Sequence, residues 1–130
     1  MIDLSVKTTS RNQMVNITGD ISKNIPGGFN GYAIVYVPHT TAAVTINEGA
    51  DPSVQHDITS FLSELIPPSR TFTHAEGNSD SHIKSSLVGN TVHLIIENGK
   101  LILGTWQAVF FCEFDGPRHR KVFLSLSEKA

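Results

Sequence analysis

The chain has 130 residues, a net charge of −2 and one cysteine, a size that suits a single domain with its own core. With 39% hydrophobic and 17% charged residues, a disordered chain is excluded. Lone Cys112 rules out an internal disulfide and a CxxC zinc site, and the densest basic spot, Arg118, Arg120 and Lys121, is too small for a duplex footprint.

Residues 2–8 alternate apolar and polar, which predicts a half-buried strand, with Met14–Ile17 as its hairpin partner. Thr18 is positioned to cap a short helix that stops at Pro26-Gly27-Gly28. Tyr32–Val37 is an apolar run expected to form a central strand, ended by Pro38, which lacks a ladder N–H. Thr40–Asn47 is rich in β-branched residues and reads as the returning strand.

Asp51-Pro52 marks a helix entry. Val54, Ile58, Phe61, Leu62 and Leu65 continue it at helical spacing over 52–66. Residues 69–78 read as loop. Ser79 or Asp80 caps a third helix, expected to turn Ile83 and Leu87 inward and to stop at Gly89-Asn90. Asn98-Gly99 is a hairpin signal between Thr91–Ile96 and Leu101–Leu103. A second turn, Asp115-Gly116-Pro117, separates Thr105–Phe114 from Lys121–Leu126. The order predicts one α+β domain over residues 1–130, a mostly antiparallel sheet or sandwich with two or three short helices.

Chemistry concentrates in His74-Ala-Glu-Gly-Asn-Ser-Asp-Ser-His82 and in His39-Thr-Thr-Ala-Ala-Val-Thr-Ile-Asn-Glu48. Imidazole and carboxylate hold divalent metals and move protons near neutral pH. Two readings stand for His74 and His82: metal ligands, or surface histidines with Asp80 as an ordinary cap. His39 ends an apolar strand, where side chains converge on sites. Taken alone, it reads first as a hydrogen-bonded strand terminus. Glu48 and Asp57 are solvated charges or proton carriers, and Arg118 clamps an anion or pairs with Asp115. Trp106 is expected in the core. Phe110, Phe111 and Phe114 are expected in the core or at a subunit interface. His56 and His93 read as surface residues without a role. No basic leader, apolar h-region or ~20-residue apolar span occurs, so the expectation is a soluble cytosolic protein without membrane or nucleic-acid partners.

These runs, followed by Gly99-Lys-Leu-Ile-Leu-Gly-Thr-Trp-Gln107 and Glu113-Phe-Asp-Gly-Pro-Arg118, resemble in the same order the YjbQ family, whose members are often labelled secondary thiamine-phosphate synthases. The resemblance covers nearly the whole chain. Phe72 stands where tyrosine is usual and Ser81 where alanine is usual. It implies a homotrimer with a metal or anion site near subunit boundaries. It implies His39, His74 and His82 as ligands of a divalent metal such as zinc. Glu48, Asp57 and Asp80 follow as acid–base groups, and Thr40, Thr41, Asn78, Gln107 and Arg118 as contacts to an anionic or phosphorylated ligand. Three functions follow as expectations: weak thiamine-phosphate synthesis, metal-dependent hydrolysis, or non-catalytic binding of a small phosphorylated metabolite by a trimer.

Overall fold

A computed structural model describes residues 1–130. Eight strands form two sheets in which every pairing is antiparallel. β1 (Ile2–Lys7), β8 (His119–Glu128), β3 (Gly31–Tyr36), β5 (Thr91–Glu97) and β6 (Lys100–Leu101) make a five-stranded sheet in that order, with β3 central. β2 (Gln13–Asn16), β7 (Gln107–Glu113) and β4 (Ala42–Glu48) make a three-stranded sheet. The helices are α1 (Thr18–Ser22), α2 (Pro52–Leu65) and α3 (Ser79–Val88).

The side-chain period of two explains the layers. On one face of β7, Val109 and Phe111 pack with Leu4, Val35, Leu94 and Leu124 in the core between the sheets. On its other face, Ala108, Phe110 and Cys112 form a second core, with Leu62 of α2 and Val88 of α3 packed against it. The small sheet is therefore a middle layer. A strand covered on both faces reads as one continuous apolar run, as β7 does.

Four expectations are corrected. β2 pairs with β7 rather than with β1. Its Val15 packs on the first core and its Met14 on the second, so it needs cover on both faces, which a hairpin with β1 would not give. α3 turns its polar face inward: Asp80, Ser81, Lys84 and Ser85 are buried, whereas Ile83 and Leu87 are exposed. The i,i+4 pairs 80/84 and 81/85 share one helix face. There Asp80 meets Arg11 and Lys84, and the Ser81 hydroxyl donates to the Phe114 carbonyl at 2.5 Å. Trp106 is 64% exposed instead of lying in the core. Thr18 does not cap its own helix; its hydroxyl accepts the Val109 N–H.

Other signals match their structures. Asp51 caps α2 by accepting the Ser53 N–H at 3.0 Å. Asn98 and Gly99 both take positive φ, 49° and 75°, as a tight two-residue hairpin turn requires. No helix is long and apolar enough to cross a membrane.

Candidate functional site

At one end of the sandwich the inward positions change from apolar to polar while the register continues. The series Leu4-Val6 runs on to Thr8, Val109-Phe111 to Glu113, and Leu124-Val122 to Arg120, all buried. Arg120 Nε and Nη2 donate to the two Glu113 oxygens at 2.9 and 2.5 Å. Nη2 also donates to the Thr41 hydroxyl at 2.8 Å. The Thr8 hydroxyl and the Phe114 and Asp115 N–H groups donate to Glu113 at 2.7, 3.1 and 3.1 Å. Burial opposes the Glu113 charge, but Arg120 and these donors outweigh it and hold the carboxyl below its ordinary value. Gly116 makes room for this cluster, since a Cβ there would run into the Ser10 carbonyl oxygen, Glu113 and Thr8.

Above this base lies a polar cleft of about 400 Å³, in whose wall Pro38 is the one apolar side chain. The β3–β4 connection brings His39, Thr40 and Thr41, and the loop before α3 brings His74 and Glu76. The first turn of α3 brings Asn78 and His82, and the start of β8 brings Arg118 and Arg120. Seven residues expected at a site on sequence grounds thus meet here: His39, Thr40, Thr41, His74, Asn78, His82 and Arg118. The N-terminus of α3 adds partial positive charge to the same place.

The histidines differ in what they offer. Lys121 donates its backbone N–H to His39 Nε2 at 3.0 Å. Nε2 is therefore the unprotonated nitrogen, and in the neutral ring Nδ1 carries the hydrogen. Burial, and then the Arg120 charge, hold the His39 pKa below its ordinary value, so the ring is neutral near pH 7. His39 is thus fixed as an N–H donor. His74 and His82 stand edge to face with ring centroids 5.3 Å apart, and Glu76 lies 4.0 Å from His74 Nε2.

Arg118 grips Asp115 through Nη2 and Nε at 2.9 and 2.8 Å, as one of the two sequence readings has it, and it is exposed along the cleft. Asn78 Nδ2 donates to the same carboxylate at 2.8 Å. A carboxylate only accepts, so the amide orientation is fixed. Asn78 Oδ1 is then the one buried side-chain polar atom without a partner. Arg120 Nη1 and His39 Nδ1 also lack protein partners but are not sealed off, and both residues line the cleft.

Four expected residues lie elsewhere in the chain. Asp80 is fully buried behind the cleft, held by Arg11 at 2.9 Å and Lys84 at 3.3 Å. Burial raises its pKa, but Arg11 and Lys84 outweigh this and depress it, so it supports α3 and does not face a ligand. Glu48 and Gln107 pair in register at the end of β4 and β7 opposite Ala42 and Glu113, about 20 Å away along the strand. Asp57 is exposed on α2. As placed, no three histidine, cysteine, aspartate or glutamate side chains are grouped to hold a metal ion, and His39 Nε2 is already engaged. The three-imidazole set therefore does not fit a metal in this arrangement.

Sequence reasoning missed the Glu113–Arg120 pair as site residues. The signal was available: a lone Glu at the end of the apolar run Ala108–Cys112, and an Arg in phase with Val122 and Leu124.

The fold and the cleft together define a class: a small antiparallel α+β sandwich with a polar pocket at one end, lined by imidazoles and by two arginines that are each paired with a carboxylate. Residues 2–129 match the family model described as UPF0047 protein YjbQ-like. UPF0047 protein MJ1081 of Methanocaldococcus jannaschii is 56% identical over 93% of this chain and 89% of its own length. UPF0047 protein YugU of Bacillus subtilis is 47% identical over 95% and 96%. A crystal structure of an uncharacterized YjbQ/UPF0047 protein from Clostridium acetobutylicum superposes with a TM-score of 0.94 at 49% identity, covering 98% of this chain and all of that one. The chain belongs to the YjbQ/UPF0047 family of uncharacterised proteins.

Proposed function

We propose that the cleft binds the phosphoryl group of a small phosphorylated metabolite. The observation that carries this reading is Arg120. Its guanidinium is buried and locked by Glu113 and Thr41, yet Nη1 has no protein partner. A pre-oriented guanidinium suits bidentate contact with phosphate oxygens. The His39 N–H, Arg118, Thr40 and the α3 N-terminus supply further donors around the same space. His74 and His82 have no hydrogen-bond partner on their rings and are the groups available to carry a proton at that ligand.

A thermal-shift titration with inorganic phosphate and pyrophosphate tests this. A saturable rise in Tm is expected from binding to the folded state. No shift with either at millimolar concentration contradicts the proposal.

A metal reading has one supporting observation, the open His74–His82 pair. Those two residues would hold the ion, which would supply an activated water. Elemental analysis after loading with Zn²⁺, beside His74→Ala and His82→Ala, tests it; metal-free parent protein after loading rejects it. Thiamine-phosphate synthesis rests on the family resemblance, and its departing diphosphate would use the same arginines. Turnover far below ~1 s⁻¹ marks a side activity. We also propose self-association as a trimer, supported by the large apolar side chains left exposed on this chain, among them Phe61, Leu65 and Leu87.

A further inference from the structure

His39 and His82 each line two clefts. On one side is the arginine- and imidazole-lined space just described. On the other is a second polar space of about 490 Å³, bounded by Thr40 and by Ser85, Ser86 and Asn90 at the C-terminal end of α3. The chemistry of the two sides differs. Apart from the shared imidazoles, the second cleft contains no ionisable side chain, and only one apolar residue reaches it.

Its polar groups are satisfied in a way that leaves capacity toward a ligand. The Ser85 and Ser86 hydroxyls spend their hydrogens on the Ser81 and His82 carbonyls at 2.9 and 3.0 Å. Their oxygens remain acceptors. The Asn90 Oδ1 accepts from the Thr91 hydroxyl at 3.0 Å, which leaves its Nδ2 hydrogens as donors. Thr40 adds an exposed hydroxyl. Neutral acceptors and donors interleaved in this way match vicinal hydroxyl groups, which both donate and accept. They match an alkyl or aromatic body poorly, because such a body would strip water from these groups without replacing its hydrogen bonds.

We propose that the second cleft is a hydroxyl-binding subsite, so that the ligand is a phosphorylated polyol. Its phosphoryl group lies with Arg118 and Arg120, and its hydroxylated carbons lie with Ser85, Ser86 and Asn90. His39 and His82 stand at the junction, beside the bond that links the two parts. This inference rests on the phosphoryl reading of the first cleft and adds the class of body attached to it.

The test compares affinities for inorganic phosphate, butyl phosphate and glycerol 1-phosphate by isothermal titration at neutral pH. Two or three net hydrogen bonds predict glycerol 1-phosphate binding at least about tenfold tighter than butyl phosphate. The excess is expected to vanish in Ser86→Leu and in Asn90→Leu, two exposed positions whose folding is checked by their melting curves. If phosphate binds but butyl phosphate binds as well as glycerol 1-phosphate, the hydroxyl subsite is overturned while the phosphoryl site stands. If all three fail to bind, both proposals fall.

Discussion

At the scale of single residues, the site depends on charges placed where the register calls for apolar side chains. Glu113 and Arg120 continue the inward series of their strands, so removing one leaves the other buried and alone. Glu113→Leu is expected to cost about 3–5 kcal/mol, read from the urea midpoint; an unchanged midpoint would show that the pair is not buried as described. The sign of its pH dependence follows. Glu113 and Asp80 both titrate below their ordinary values when folded. Between the folded and unfolded pKa values the unfolded chain holds more protons, so their stabilisation is full above the ordinary carboxylate range and lost as pH falls through the folded pKa. The melting temperature should therefore drop steadily below about pH 4, and a flat profile down to pH 3 contradicts this. Cys112 is the opposite case. Burial pushes its thiol up to about 12, so a thiol reagent at pH 8 should label it only after unfolding. The histidines and Arg118 were legible from the sequence as polar runs beside strand and helix ends. Arg120 was missed because its one signal is strand phase with Val122 and Leu124, and the strand was expected to begin after it, at Lys121.

At the scale of elements, strand and hairpin signals transferred well because they are local. Asn98-Gly99 sets its own turn, and Asp51-Pro52 starts α2 without help from the rest of the chain. Which sheet a strand joins is not local. β2 follows β1 closely in sequence yet pairs with β7, and nothing in four residues states which partner covers both faces. α3 shows the same limit more sharply. Ile83 and Leu87 mark the apolar face, but its polar face docks, because Arg11 and Asn12 arrive from a distant segment to meet Asp80 and Lys84. Asp80→Ala is expected to destabilise the fold by about 3 kcal/mol or more, since Lys84 is only 1% exposed and would be left buried without its carboxylate. A loss below ~0.5 kcal/mol, the range of an ordinary surface change, would mean that α3 does not dock by this face.

At the scale of the whole molecule, the sandwich does two things with one core. Its apolar length fixes the sheets, and its polar end presents groups that are rigid because they are buried. The sequence resemblance implied one site from His39 to Arg118, but the fold separates it: Glu48 and Gln107 lie together at the opposite end of the small sheet. Sedimentation equilibrium tests the trimer proposal, which expects three times the 14.2 kDa chain mass and is contradicted by a monomer at micromolar concentration. The phosphoryl site is tested most directly by titrating inorganic phosphate into the parent protein and into Arg118→Gln, an exposed change that spares the buried pair. One saturable site per chain, weakened about fivefold or more in the variant through loss of a charge-assisted hydrogen bond, is the predicted result. No saturable binding to the parent, or equal binding to both proteins, would contradict the placement of the phosphoryl group in this cleft.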